Sequence, residues 1–159
     1  MKSNRILQLT VILILVGFLI PSVLGKDYDF TERGSEAAEN HKIYGVGTVT
    51  FEEIEYPSTL KMIAKVELNS EGNYEGTAKL VIRFVNSDDF RKLVINDIPF
   101  FVFINADNPL LTEFRLTLSG EELSITPTTI IRNGIIADFN KAASLSGRKG
   151  ILDFTVLIR

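Results

Sequence analysis

Between Leu60 and Leu68 every second residue is apolar: Leu60, Met62, Ala64, Val66 and Leu68 share one parity, while Lys61, Lys65 and Glu67 hold the other. A two-residue period belongs to an extended strand with one dry and one wet face, and no helix can present it. It returns in Leu80, Ile82 and Phe84 against Lys79 and Arg83, in Phe114, Leu116 and Leu118, and in Leu152, Phe154, Val156 and Ile158 against Asp153, Thr155 and Arg159. Before these, Gly47, Val49 and Phe51 oppose Val46, Thr48 and Thr50 in a stretch rich in β-branched residues. The chain beyond residue 41 is therefore expected to be all-β.

Turn signals separate the runs. "NSEGNYEG" joins the runs around Ala64 and Ile82 by a loop too short for a parallel crossover, so they should form an antiparallel hairpin. "SGEE" at 119–122 reads as a tight turn, and "SGRKG" at 146–150 as a hairpin loop with two glycines for positive φ. Residues 134–146 fit two patterns: Ile135, Phe139 and Ala142 or Ala143 at helical spacing, or Ile135, Ala137, Phe139 and Lys141 on one face of a strand. The strand is favoured because all its surroundings are β. About eight or nine strands at regular spacing imply a β-sandwich or a closed β-barrel.

"GVGTVTF", "KMIAKVELNSEGNYEGTAKLVIRF" and "ADFNKAASLSGRKGILDFTVLIR" together resemble the short all-β accessory domains of secreted bacterial and archaeal proteins. In those a Gly-x-Gly strand opens the domain, a polar hairpin follows and a glycine-containing hairpin closes it. The resemblance implies a binding or structural module and carries over no catalytic residue.

Ahead of the β pattern, Lys2 and Arg5 precede an apolar core from Ile6 to Ile20, and "PSVLG" ends it at Gly25. That is the order of parts in a signal peptide, an N-terminal hydrophobic helix expected over residues 1–25, with cleavage after Gly25. An uncleaved anchor through residues 6–24 is the competing reading. Either places the remainder outside the cytoplasm, as a secreted or membrane-anchored protein. Residues 26–41 are charged and unperiodic and read as a flexible lead to a single domain spanning 42–159. Without residues 1–25 the chain holds 15 basic and 20 acidic side chains, about −5 in net charge, which gives no general attraction for nucleic acid. The absence of cysteine rules out disulfides, thiolate nucleophiles and Cys-ligated zinc, so an exported domain must be held by its own core.

One run breaks the alternation. From Ile98 to Ile104, "IPFFVFI" is apolar throughout. It could be a central strand covered on both faces, a strand lining a cavity for a small apolar ligand through Phe100, Phe101, Val102 and Phe103, or an exposed patch for a partner. Pro99 has no amide hydrogen, so the strand is expected to begin near Phe100.

His41 is the sole histidine, unaccompanied by a nucleophile motif, and reads as a solvated polar residue at the start of the domain. Glu52, Glu53 and Glu55, or Glu121 and Glu122, could supply a carboxylate pair only from different strands, and read as solvated charges. Two oxygen-rich loops, "NSDD" at 86–89 and "NADN" at 105–108, have Ca²⁺-type ligands in Asp88, Asp89 and Asp107, and could share an ion if they lie at one end of the sheet. The expected function is an exported, non-catalytic β-domain acting as an extracellular binding or structural module toward a protein, a polysaccharide or a small apolar ligand. A lipocalin-like carrier and a secreted hydrolase are the alternatives.

Overall fold

The computed structural model describes residues 39–159, and the expected signal segment and most of the charged lead lie outside the described residues. Eight strands follow one another: β1 (Glu39–Phe51), β2 (Ile54–Leu68), β3 (Tyr74–Phe84), β4 (Lys92–Phe103), β5 (Glu113–Leu118), β6 (Glu121–Ile131), β7 (Gly134–Leu145) and β8 (Arg148–Ile158). A single 3-10 turn, Pro109–Leu111, interrupts the β4–β5 connection. Each strand pairs antiparallel with the next, and β8 returns to pair with β1 from Ile43↔Ile158 to Phe51↔Gly150, closing the barrel. Of the two architectures the alternation allowed, the closed barrel is the one formed. β1 starts at Glu39, the first described residue.

Alternation fills the interior. Leu60, Met62, Ala64 and Val66 from β2 meet Leu80 and Ile82 from β3, Phe114 and Leu116 from β5, and Leu152, Phe154 and Val156 from β8, all essentially without solvent contact. Phe100, Phe114, Phe139 and Phe154 are the largest fully buried side chains in this core. Eight strands enclose a space that side chains can fill, and here they fill it from every strand. Residues 134–146 form strand β7, with Ile135, Ala137, Phe139 and Ala143 inward.

The barrel has a hairpin end and a terminal end. At the hairpin end, Glu52–Glu53, Ser119–Gly120 and Ser146–Gly147 form two-residue loops in which both residues have positive φ, the twist that antiparallel neighbours require. The "SGRKG" loop thus uses Ser146 and Gly147, whereas Gly150 lies in β8 beside the Phe51 ring, in place of the two positive-φ glycines expected. Both ends of the described chain lie at the terminal end, where Lys42 and Arg159 exchange two main-chain hydrogen bonds of 2.9 Å.

Strand lengths are unequal, and this shapes the wall. β5 has six residues and pairs with β4 only through Phe100–Phe103. β6 pairs with β5 through its first half and with β7 from Thr126 onward. The tip of the β5–β6 hairpin is fastened to β7 by the Ser119 hydroxyl, which donates to the Ser144 carbonyl at 2.9 Å. β4 is longer than expected: it starts at Lys92, absorbs a bulge where Lys79 faces both Asn96 and Asp97, and passes through Pro99 before pairing with β5 begins.

Candidate binding surface

The apolar run lies in the second half of β4, and the barrel divides it. Phe100 and Val102 point inward and are fully buried, whereas Phe101 and Phe103 are half-buried on the outer wall. The four residues therefore do not line one cavity. Nor, among the described residues, is the strand covered on both faces, since a barrel wall has a single interior. What covers the outer pair is local: the rings of Phe101 and Phe103 stack at 6.4 Å with 22° between planes, and the Arg115 guanidinium lies 4.5 Å from the Phe103 centroid.

Arg115 comes from β5, opposite Phe101, and is held as a fork. Its Nε donates to Glu113 Oε1 at 2.7 Å and its Nη2 to Glu113 Oε2 at 2.8 Å, while Nη1 lies 3.5 Å from Glu122 Oε1 on β6. Ser124 Oγ adds a longer hydrogen bond of 3.4 Å to Glu113 Oε1. Hydrogen bonding from Arg115 is the main reason the Glu113 carboxyl sits below its ordinary pKa; partial burial opposes this, and the Arg115 charge and Ser124 add to it. The arrangement presents an aromatic and cationic column whose positive charge is already matched by carboxylates. It suits a surface that packs rings and guanidinium flat, more than one that captures a free anion.

A depressed carboxyl pKa contributes stability above the ordinary value near 4.5, and that contribution is lost as pH falls through the folded value. Because both side chains are a third or more exposed, solvent screens the pair and the effect is small. Glu113→Gln is expected to cost less than about 1 kcal/mol at neutral pH. Urea denaturation of both proteins should show the difference shrinking toward zero once wild-type Glu113 is protonated.

Strand side chains that alternation directs inward line both barrel mouths, and Phe90 of the β3–β4 loop joins them at the hairpin end. At the hairpin end Phe51, Tyr56, Phe84 and Phe90 pack with ring centroids 5.1 to 6.4 Å apart, and Arg148 lies 5.2 Å from the Phe90 ring. At the terminal end stand Glu39, His41 and Tyr74. His41 is only 5% exposed, which corrects the expectation of a solvated residue: Asn40 and Lys42 face out, so the residue between them faces in. Its Nε2 lies 3.7 Å from Glu39 Oε2 and its ring meets Tyr74 edge-on at 6.4 Å. Tyr74 also hydrogen-bonds Glu39, and its pKa is raised, first by burial and then by the Glu39 charge and that hydrogen bond.

The two acidic loops lie at opposite ends of the barrel. Asp88 and Asp89 precede β4 at the hairpin end and Asp107 follows it at the terminal end, so they cannot share an ion. Among the described residues, no group of three or more His, Cys, Asp or Glu is placed to hold a metal ion. Other oxygens of these loops serve the backbone. Asn105 Oδ1 accepts from the amides of Asp107 and Asn108, Asn108 Oδ1 caps the 3-10 turn by accepting from Leu110, and Ser87 Oγ accepts from Phe90.

Together the fold and its surface define an eight-stranded up-and-down antiparallel barrel with a packed interior and an aromatic patch on its outer wall. Comparison with protein-family models, with curated proteins and with solved structures found no match.

Glu113, Arg115 and Ser124 were not singled out in the sequence, and Glu122 was read there as a solvated charge. A signal for the first two was present, since the period of "TEFRLTL" sends Glu113 and Arg115 to the face opposite Phe114 and Leu116. That they meet Phe103 depends on β4–β5 register, which alternation does not encode.

Proposed function

We propose that the protein is an exported, non-catalytic binding module that engages a protein partner through the outer wall of β4 and β5. The observation that carries this reading is the Phe101–Phe103–Arg115 column, half-exposed on a wall that has no second layer among the described residues, and fixed in place by Glu113. Aromatic and arginine side chains held rigidly at a surface are the groups that dominate protein–protein contacts, because little side-chain entropy remains to be lost on binding. The interior speaks against the carrier alternative, since Phe100 and Val102 belong to a core packed by residues of all eight strands. Export rests on the signal-like order of residues 1–25.

The test is a photo-crosslinking residue in place of Glu75, which is exposed and pairs with Phe101 across the wall. In the native host it should give a discrete adduct with another protein, and that adduct should vanish when Phe101→Ser and Phe103→Ser are added in a folded barrel. Absence of an adduct, its survival in the double variant, or an adduct of twice the chain mass would each overturn the assignment of this face to a protein partner.

A further inference from the structure

β4 carries a second feature, independent of the aromatic column. From Lys92 to Pro99 its only strand neighbour among the described residues is β3, because pairing with β5 starts at Phe100. The Phe84 amide donates to the Arg91 carbonyl at 3.2 Å, so Arg91 faces β3. Peptide groups of an antiparallel pair alternate sides, and Lys92 and Val94 therefore direct their N–H and C=O groups to the open side. Above that edge the Val94 side chain stands on the outer wall, 38% exposed, beside Val81 of β3. An open strand edge with an apolar centre is a template for another strand.

We propose that this edge pairs with the same edge of a second copy of the chain, antiparallel about a two-fold axis at Val94. Three properties of the segment "RKLVIND" favour a second copy. The open peptide groups of Val94 are self-complementary: in an antiparallel pair centred there, each Val94 amide donates to the other Val94 carbonyl. The charges are also self-complementary, since a two-fold axis at Val94 sets Arg91 and Lys92 of each copy against Asn96 and Asp97 of the other. A parallel arrangement would stack like charges. Finally, the register is limited on one side by the bulge at Asn96–Asp97, where Asp97 has φ 54°, and by Pro99 beyond it. The contact ends before Phe101, so the aromatic column stays uncovered. A C2 contact of this kind makes one continuous sheet of β3 and β4 from both copies.

The absence of cysteine makes the test direct on the full chain. In a hydrogen-bonded antiparallel pair the facing Cα atoms lie about 5.5 Å apart, within the span a disulfide bridges. Under mild oxidation, Val94→Cys is expected to form disulfide-linked dimer at least about tenfold faster than Lys42→Cys, an exposed position on β1, because pairing raises the local thiol concentration. Lys92→Cys mixed with Asn96→Cys should crosslink faster than either alone, which reports the register. Val94→Lys, an outward change that leaves the core untouched, should abolish the fast Lys92–Asn96 crosslink while the circular dichroism stays that of the wild type. Equal rates at positions 94 and 42, which association through the N-terminal apolar segment alone would give, overturn the proposal. So do Lys92→Cys homodimers that form as fast as the mixed pair, and so does a fast crosslink that survives Val94→Lys.

Discussion

Phe100→Ala is expected to cost about 3–5 kcal/mol of folding stability, and Phe101→Ala about 1 kcal/mol or less, although the two phenylalanines are adjacent. Phe100 is fully buried, lies across from Gly76 on one side and Leu116 on the other, and fills space that no glycine side chain can occupy. Removing its ring loses the transfer free energy and leaves a cavity that neighbours on a hydrogen-bonded wall cannot collapse into. Phe101 loses a stacking contact with Phe103 and some outer-wall burial, and solvent enters where the ring stood. Equilibrium urea denaturation of the two variants decides the matter. Equal losses would mean that both faces of β4 are covered. A small loss at Phe100 would mean that the interior tolerates a void, as a ligand-carrying barrel must. In a domain whose total stability is of order 5–15 kcal/mol, the expected Phe100 loss takes a large share.

Alternation was readable wherever a strand has one wet face, but not in the unbroken apolar run that holds Phe100. It marked the inward residues of β2, β3, β5 and β8, and these are buried in the barrel except at two strand ends, where Leu68 is 47% exposed and Phe84 only partly buried. It failed to separate strand from helix in β7 for a simple reason. Ile135, Phe139 and Ala143 are four apart, and four is both nearly a helical turn and an even number, so the same residues share a face in either structure. It could not separate sandwich from closed barrel either, because both demand one dry face per strand. Closure depends on β1 meeting β8, a pairing between residues 99 to 115 positions apart that leaves no local trace.

Other features were within reach. A strand between the 86–89 and 105–108 loops must send them to opposite ends, which was enough to separate Asp88 and Asp89 from Asp107. His41 lies between exposed Asn40 and Lys42, and extending the period back two residues directs it inward. The outer column and the open β4 edge were not legible, because both follow from β5 having half the length of β4. Strand length is set by where loops begin. In the β4–β5 connection Asn105, Asn108 and Thr112 supply that signal through side-chain hydrogen bonds that form only in the folded chain.

Gly47→Ala is expected to cost about 3–4 kcal/mol, far beyond the loss of strand entropy or propensity, because it strikes the seam that closes the barrel. Gly47 pairs with Phe154, and a Cβ at this position would overlap the Asp153 carbonyl oxygen and stand 2.7 Å from the Phe154 Cα. Both obstacles are main chain, so no side-chain rotation relieves them, and β8 has to move away from β1. Gly72 is the control. It has φ +83° in the β2–β3 loop with nothing within 4 Å of an added Cβ, so Gly72→Ala should cost only about 1 kcal/mol, from backbone conformation alone. Urea denaturation gives the totals, and hydrogen exchange locates the damage: amides of β1 and β8 should lose protection in Gly47→Ala more than those of β2 and β3. Similar losses at Gly47 and Gly72 would show that the seam has slack. The large loss would show that one missing side chain lets the first strand lie close enough to the last for eight amphipathic strands to become a barrel.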